Sequence, residues 1–127
     1  ALMDSYKLVK TNAVWANDIY VKQIPWADSS PAKLKEKSNQ TFILVRDGIQ
    51  ELSLFSSNTF IEMNYGVQIQ VFYSTESTLD YDDVEIKLMK FLESKGWRIQ
   101  SVRGRIQDPD TLQEFQTIIM SKTKETI

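Results

Sequence analysis

IEMNYGVQIQVFY, residues 61–73, carries an apolar side chain at every odd position. The positions between them are mostly polar or small: Glu62, Asn64, Gly66, Gln68 and Gln70. Successive side chains of a strand point to opposite faces, so this alternation predicts a long β-strand with one buried and one wet face. At about 3.3 Å per residue the strand would span roughly 40 Å, which is long for a single strand.

Two helices are predicted around this strand. Residues 80–95 carry an apolar stripe at helical spacing, Asp80 can cap the N-terminus, and Lys95-Gly96 is typical of a helix end. Residues 2–16 carry a second stripe that predicts an N-terminal helix. Each amphipathic element has one apolar face to bury, which favours helices packed together on one face of a sheet.

The remaining apolar runs predict shorter strands, separated by turn signals. The predicted strands are 19–24, 41–46, 97–106 and 112–122. Turns are expected at Asp47-Gly48 and at Asp108-Pro109-Asp110-Thr111, and residues 49–58 are interpreted as an irregular connection. We expect an exposed loop at 25–40 and a frayed tail at 123–127. The prediction is one α+β domain, 1–127, with an antiparallel or mixed sheet of four to five strands.

Composition argues against most catalytic chemistry. The chain has no histidine and no cysteine, so disulfides and the usual zinc, copper and haem ligands are excluded. The acidic pairs Asp82-Asp83 and Asp108/Asp110 are explained by a helix start and a turn. We therefore expect no cofactor, no metal and no enzymatic activity. No apolar run is long enough to span a membrane and no signal peptide is visible, so we expect a soluble, intracellular protein.

Several apolar residues fall outside the predicted core and suggest a binding surface. Ile86 lies off the apolar stripe of the second helix, and Met89 lies at its margin. Leu52, Leu54 and Phe55 stand in the irregular connection, which could equally fold back over its own sheet. Trp26 follows a proline in a polar loop, where an exposed tryptophan suits an interface. We predict an oligomer interface at Trp26, Leu52, Leu54, Phe55, Ile86 and Met89.

A nucleic-acid-binding module is the alternative hypothesis. Arg98, Arg103 and Arg105 lie on one predicted strand, where Arg103 and Arg105 share a face and Arg98 points to the other. Lysines at 33, 35 and 37 add further cations. The formal net charge of −2 provides no global basic footprint, so ion pairs or a solvated strand face explain these arginines more simply.

Four segments resemble a family of tail proteins from tailed phages of Gram-positive hosts. They are IPWADSS (24–30), VQIQVFYS (67–74), LDYDDVEIKLMKFLESKGWRI (79–99) and SVRGRIQDPDTLQ (101–113). That family is similar to tail-terminator, or tail-completion, proteins. The resemblance implies a subunit, located in the virion tail and in the host cytoplasm during assembly, that joins copies of itself into a hexameric ring.

The resemblance also implies partners for such a ring. The ring would cap the major tail tube protein, present a docking surface to the head-completion or connector protein, and let DNA pass through its lumen without tight binding. Within this interpretation the polar side chains of the long strand, Glu62, Asn64, Gln68 and Gln70, are candidates for the lumen or another wet surface. No membrane partner and no catalytic residue are implied.

Overall fold

The computed structural model describes residues 2–25, 34, 37–56 and 59–125, with residues 49–56, 59–61 and 125 described by their backbone alone. The chain forms two helices and six strands in these ranges. In chain order they are α1 (Leu2–Asn12), β1 (Asp18–Val21), β2 (Phe42–Ser56), β3 (Thr59–Phe72), α2 (Tyr81–Ser94), β4 (Arg98–Val102), β5 (Ile106–Gln107) and β6 (Glu114–Glu125). The predicted α+β class is confirmed.

The strands form one mixed sheet with the order β1-β2-β3-β6-β4, and β5 also pairs with β6. β1 runs parallel to β2, and every other pairing is antiparallel. The alternating stretch forms β3 in the middle of the sheet, between β2 and β6. β3 therefore forms hydrogen bonds along both of its edges, which explains why so long a strand is stable.

Both helices pack on one face of the sheet, as predicted. Val9 of α1, Ala13 just after it, and Leu88 and Leu92 of α2 join the buried odd-numbered residues of β3 in one core cluster. Its buried members from the strands, from the position after β3 and from the position before β4 are Ile43, Val45, Val67, Ile69, Val71, Tyr73, Trp97, Ile118 and Met120. We call this side of the sheet the helix face.

The opposite side, which we call the open face, has an apolar end and a polar end. At the apolar end Phe42 stacks on Phe72 with ring centroids 4.6 Å apart, and Phe72 stacks on Phe115 at 4.9 Å. Half-buried Ile24 and Leu34 pack against this aromatic row. Leu34 belongs to the segment predicted as an exposed loop, and most of that segment lies outside the described residues.

The prediction of a turn at Asp47-Gly48 is wrong. β2 continues from Phe42 through Ser56, and the residues interpreted as an irregular connection pair with β3. The register between β2 and β3 shifts between Asp47 and Gln50, so the turn-like residues form a β-bulge instead. The bulge disturbs the alternation of side chains between the faces, which explains why the segment lacked clean periodicity.

The ends of other elements also differ from prediction. α1 stops at Asn12, before the predicted end at residue 16, and the predicted strand 97–106 is interrupted between β4 and β5. β6 extends to Glu125, and its residues 123–125 pair with β3 at residues 62–64, where a frayed tail was expected. For α2 the caps are as predicted: the Asp83 amide donates to the Asp80 carboxylate, and Gly96 has φ 94°.

Candidate functional site

A groove of about 460 Å³ occupies the polar end of the open face. Arginine, amide and hydroxyl side chains from β3, β4 and β6 and the residue after β4 line it, together with backbone at Gly48 and Gly66 and the side chain of Ile119. The polar side chains are Asn64, Gln68, Arg98, Gln100, Arg103, Ser121 and Thr123. Such a lining presents mainly hydrogen-bond donors and fixed positive charge.

A β-bulge in β4 creates the cationic wall of this groove. Arg98 pairs with Ser121 and Ile99 with Met120, but the next pair is Ser101 with Ile119. The extra residue changes which side chains share a face, so Arg98 and Arg103 both line the groove. The prediction that Arg98 points away from Arg103 is therefore wrong. The prediction that Arg103 shares a face with Arg105 is also wrong, because the strand is interrupted at Gly104 (φ 88°), between β4 and β5, and Arg105 binds Glu85 and Asp82 on the helix face.

Arg46 adds a third cation to the same end of the open face. It is exposed and pairs with Gln68 in the register between β2 and β3. Residues directly opposite each other in an antiparallel pair project from the same face, so Arg46 stands beside the groove. Sequence periodicity does not single out Arg46, because its place depends on the pairing of β2 with β3.

Hydrogen bonds hold the amide side chains of the groove in position. The Gln100 Nε2 donates to the Ser121 hydroxyl over 2.7 Å, and the Thr123 hydroxyl donates to the Asn64 Oδ1 over 2.5 Å. Both bonds cross between neighbouring strands, so they order the groove lining as well as the sheet.

The residues predicted as a lumen or wet surface lie on this face. Asn64 and Gln68 line the groove, while half-buried Gln70 pairs with Thr117 between the groove and the aromatic row. Glu62 is half-buried near the end of β3. The structure therefore brings these four positions together on one face, as the alternation of β3 required.

Arg105 lies on the helix face, in a buried polar network centred on Glu85. Glu85 is 4% exposed. The Arg105 Nε donates to the Glu85 Oε2 over 3.0 Å, and the Arg105 Nη2 donates to the Asp82 carboxylate over 2.5 Å. The Tyr73 hydroxyl and the Gln116 amide also donate to Glu85. These contacts satisfy a carboxylate that burial would otherwise penalise.

The network shifts the proton affinities of two of its members. Burial, and then the hydrogen bond to Glu85, raise the pKa of the Tyr73 hydroxyl far above its ordinary value of 10.0. The hydrogen bonds to Glu85 and then to Asp82 raise the pKa of the Arg105 guanidinium above its ordinary value. Both groups therefore keep their protons, which makes this network a structural tie between α2 and the sheet and argues against a proton-transfer role.

Two of the six predicted interface residues have described side chains. Ile86 is 49% exposed on α2, and Met89 is half-buried against the core cluster. Both lie on the flank of α2 that carries Asp82, and Asp82 binds Arg105 between β4 and β5. Val102, at the end of β4, is 43% exposed. Trp26 and the side chains of Leu52, Leu54 and Phe55 lie outside the described part of the chain.

Neither a metal centre nor a membrane span emerges from the described ranges. Among those residues no three acidic side chains converge to hold a metal ion. In the same part of the chain, neither helix has the length and apolarity needed to cross a bilayer.

A family model described as "Protein of unknown function (DUF806)" matches residues 2–125. The chain belongs to the DUF806 family. No curated protein matches it. Among solved structures, the type 4 fimbrial biogenesis protein PilO from Pseudomonas aeruginosa is similar over 98% of this chain and 82% of that chain, with 8% identity and a TM-score of 0.36. A similarity this weak says nothing about function.

Proposed function

We propose that this DUF806 member is a structural assembly subunit of a phage tail that joins copies of itself head to tail into a ring. The ring, of about six copies, caps the tail tube, docks the head connector and leaves a lumen for DNA. The tail setting and the number of copies come from the resemblance of the segments at 24–30, 67–74, 79–99 and 101–113. The physical support comes from the two ends of the sheet.

The single observation that carries the proposal is that, among the described strands, the sheet ends in two different open edges. β1 pairs with β2 only along Phe42–Val45, and of the described strands none pairs with the outer edge of β2 from Arg46 to Ser56. At the other end, β4 pairs with β6 and with no other described strand. A closed ring requires two different patches that fit each other, and unpaired strand edges readily accept a strand from another chain.

The β4 edge is bordered by apolar surface. Ile86 and Met89 on one flank of α2 and Val102 at the end of β4 lie on the same side of the molecule, next to the Arg105 network. Half-exposed apolar side chains beside an open strand edge suit burial against a neighbouring copy. The network holds this part of α2 against the connection between β4 and β5, so the patch is rigid before assembly.

An Ile86→Asp variant tests the ring. We expect the wild-type chain to form rings, either alone at high concentration or on added tail tubes. The variant should remain monomeric in both settings. Burying the new carboxylate against a neighbour would leave a charge without a partner. Native mass spectrometry across a concentration series, and electron microscopy of decorated tubes, measure the outcome.

Leu112→Asp is the matched control. Leu112 is also exposed, but it lies in the connection before β6 and is not part of the proposed patch, so this variant should assemble normally. Thermal unfolding of both variants checks the fold, since exposed substitutions change stability by about 0.5 kcal/mol or less. A wild-type chain that stays a single copy, free and with tubes present, would contradict the ring. Normal assembly of Ile86→Asp would contradict the interface.

A further inference from the structure

We propose that the polar end of the open face binds the phosphate backbone of duplex DNA through Arg46, Arg98 and Arg103. This inference rests on the proposed ring in that it assigns one face of each subunit to the DNA in the lumen. Its physical basis is independent of the ring, because it concerns side chains within one copy.

The first observation is the convergence of cations on one surface. Arg98 and Arg103 line the same groove, and Arg46 stands beside it on the same face. Guanidinium groups present several donors in a planar fork that matches phosphate oxygens. The amide and hydroxyl side chains along the groove supply further donors of the kind that contact sugar and phosphate.

The second observation is a difference between these arginines and Arg105. Arg105 has two carboxylates within ion-pair distance, at Glu85 and Asp82. Within the described ranges no carboxylate lies that close to Arg46, Arg98 or Arg103. Glu62 is the one acidic residue with a described side chain at the polar end of this face. Among the described side chains, these three arginines therefore carry positive charge that no ion pair neutralises, and that charge is complementary to phosphate.

The number of cations predicts weak and mobile binding. Each neutralised phosphate contributes a slope of about −0.9 to the dependence of log affinity on log salt concentration. Three contacts would give a slope of roughly −2.7, or about 40-fold weaker binding between about 50 mM and about 200 mM salt. Three phosphate contacts orient the DNA backbone but bind it weakly, so the duplex can still move through the lumen. Contacts to phosphate carry no sequence information, so we expect this binding not to depend on base sequence.

Fluorescence anisotropy with a labelled DNA duplex, over a series of salt concentrations, tests the inference on the complete chain. The Arg98→Gln/Arg103→Gln variant should bind more weakly, and its slope should be smaller by about 2 in magnitude. Lys7→Gln/Lys10→Gln, which removes two exposed cations from α1 on the helix face, is the matched control and should leave the slope unchanged. Arg98→Lys/Arg103→Lys keeps the charges and should restore most of the slope, which excludes a folding defect as the cause.

Three results would overturn the inference: no binding by the wild-type chain at low salt, an equal loss in the α1 control, or displacement of DNA by polyglutamate as effectively as by unlabelled duplex. The last result would indicate an acidic protein partner. The Ile86→Asp variant separates this inference from the ring, because a chain that cannot assemble should keep the wild-type slope per copy. Conversely, the Arg98→Gln/Arg103→Gln variant should still form rings.

Discussion

Glu85 shows how one buried carboxylate can organise several elements. It lies in α2 and accepts hydrogen bonds from Tyr73 after β3, Arg105 before β5 and Gln116 in β6. Gln116 in turn accepts from the Gly104 amide over 2.8 Å. Arg105 also lies over the Tyr81 ring, 5.4 Å from its centroid. Four separate segments are thereby held around one charge, and the cost of burying that charge is offset by its donors.

Because the Tyr73 hydroxyl is buried, we expect the folded protein to lose stability at alkaline pH. Its folded-state pKa is raised, while in the unfolded chain it ionises near 10.0. Above that pH the unfolded chain releases a proton that the folded chain keeps, so the free energy of unfolding falls by about 1.4 kcal/mol per pH unit. Below that pH the contribution of this tyrosine is constant.

The Tyr73→Phe variant should lack this pH dependence of the unfolding free energy. The variant should be less stable than the wild type near neutral pH, because Glu85 loses a donor. We expect the difference in unfolding free energy to shrink by about 1.4 kcal/mol on going from about pH 9 to about pH 11. Urea unfolding at a series of pH values measures it. A difference that stays constant across this range would show that Tyr73 ionises alike in both states.

Among the secondary-structure elements, two β-bulges determine which side chains lie on each face of the sheet. The bulge in β2 lies between Asp47 and Gln50, and the bulge in β4 lies between Ile99 and Ser101. The first lets β2 continue as an edge strand, and the second brings Arg98 and Arg103 to the same groove. Bulges next to binding surfaces commonly redirect side chains in this way.

Gly48 in the β2 bulge leaves little space for a Cβ. A Cβ at this position would lie 3.1 Å from the Gly66 carbonyl carbon and 3.3 Å from both its oxygen and the Val67 nitrogen. All three are backbone atoms of the neighbouring strand, so β2 and β3 would have to move apart. We expect Gly48→Ala to lower the free energy of unfolding by about 1–3 kcal/mol, the usual range for overpacking.

Chemical denaturation of Gly48→Ala, compared with Asp47→Ala, measures this effect. Asp47 lies in the same bulge but is exposed, so its truncation should change stability by about 0.5 kcal/mol or less. Equal stabilities for the wild type and Gly48→Ala would mean that the strands are less tightly apposed than the structure indicates.

Over the whole molecule, the β2–β3 hairpin extends beyond the rest of the sheet. β6 pairs with β3 only as far as Glu62, so residues 54–56 and 59–61 have just each other as strand partners among the described residues. A two-stranded ribbon alone is marginally stable, and it adds little to the core. An extension of this kind would suit contact with a neighbouring copy in the proposed ring.

Shortening this hairpin should separate folding from assembly. Ser53 and Glu62 are paired, so replacing residues 54–61 by Asn-Gly would close the hairpin with a two-residue turn. We expect the shortened chain to unfold as cooperatively as the wild type but to form no rings, as seen by calorimetry and native mass spectrometry. Intact ring assembly by the shortened chain would remove the hairpin from the interface.

The order of elements and the α+β class followed from the residues alone, because they depend on local properties. The alternation of β3 and the caps of α2 each depend on residues that are close together in the sequence, so both patterns can be recognised from the sequence. The polar set Asn64, Gln68 and Gln70 was predicted to share a face for the same reason.

The grouping of the arginines could not be predicted from the sequence in this way. Local alternation predicted Arg103 beside Arg105. Instead, a bulge in the pairing of β4 with β6 brought Arg98 and Arg103 together, and the interruption of the strand at Gly104 placed Arg105 against Glu85. Arg46 joined the groove only through its register with β3. Strand register is set by contacts between residues far apart in the chain, and a shift of one residue exchanges the faces.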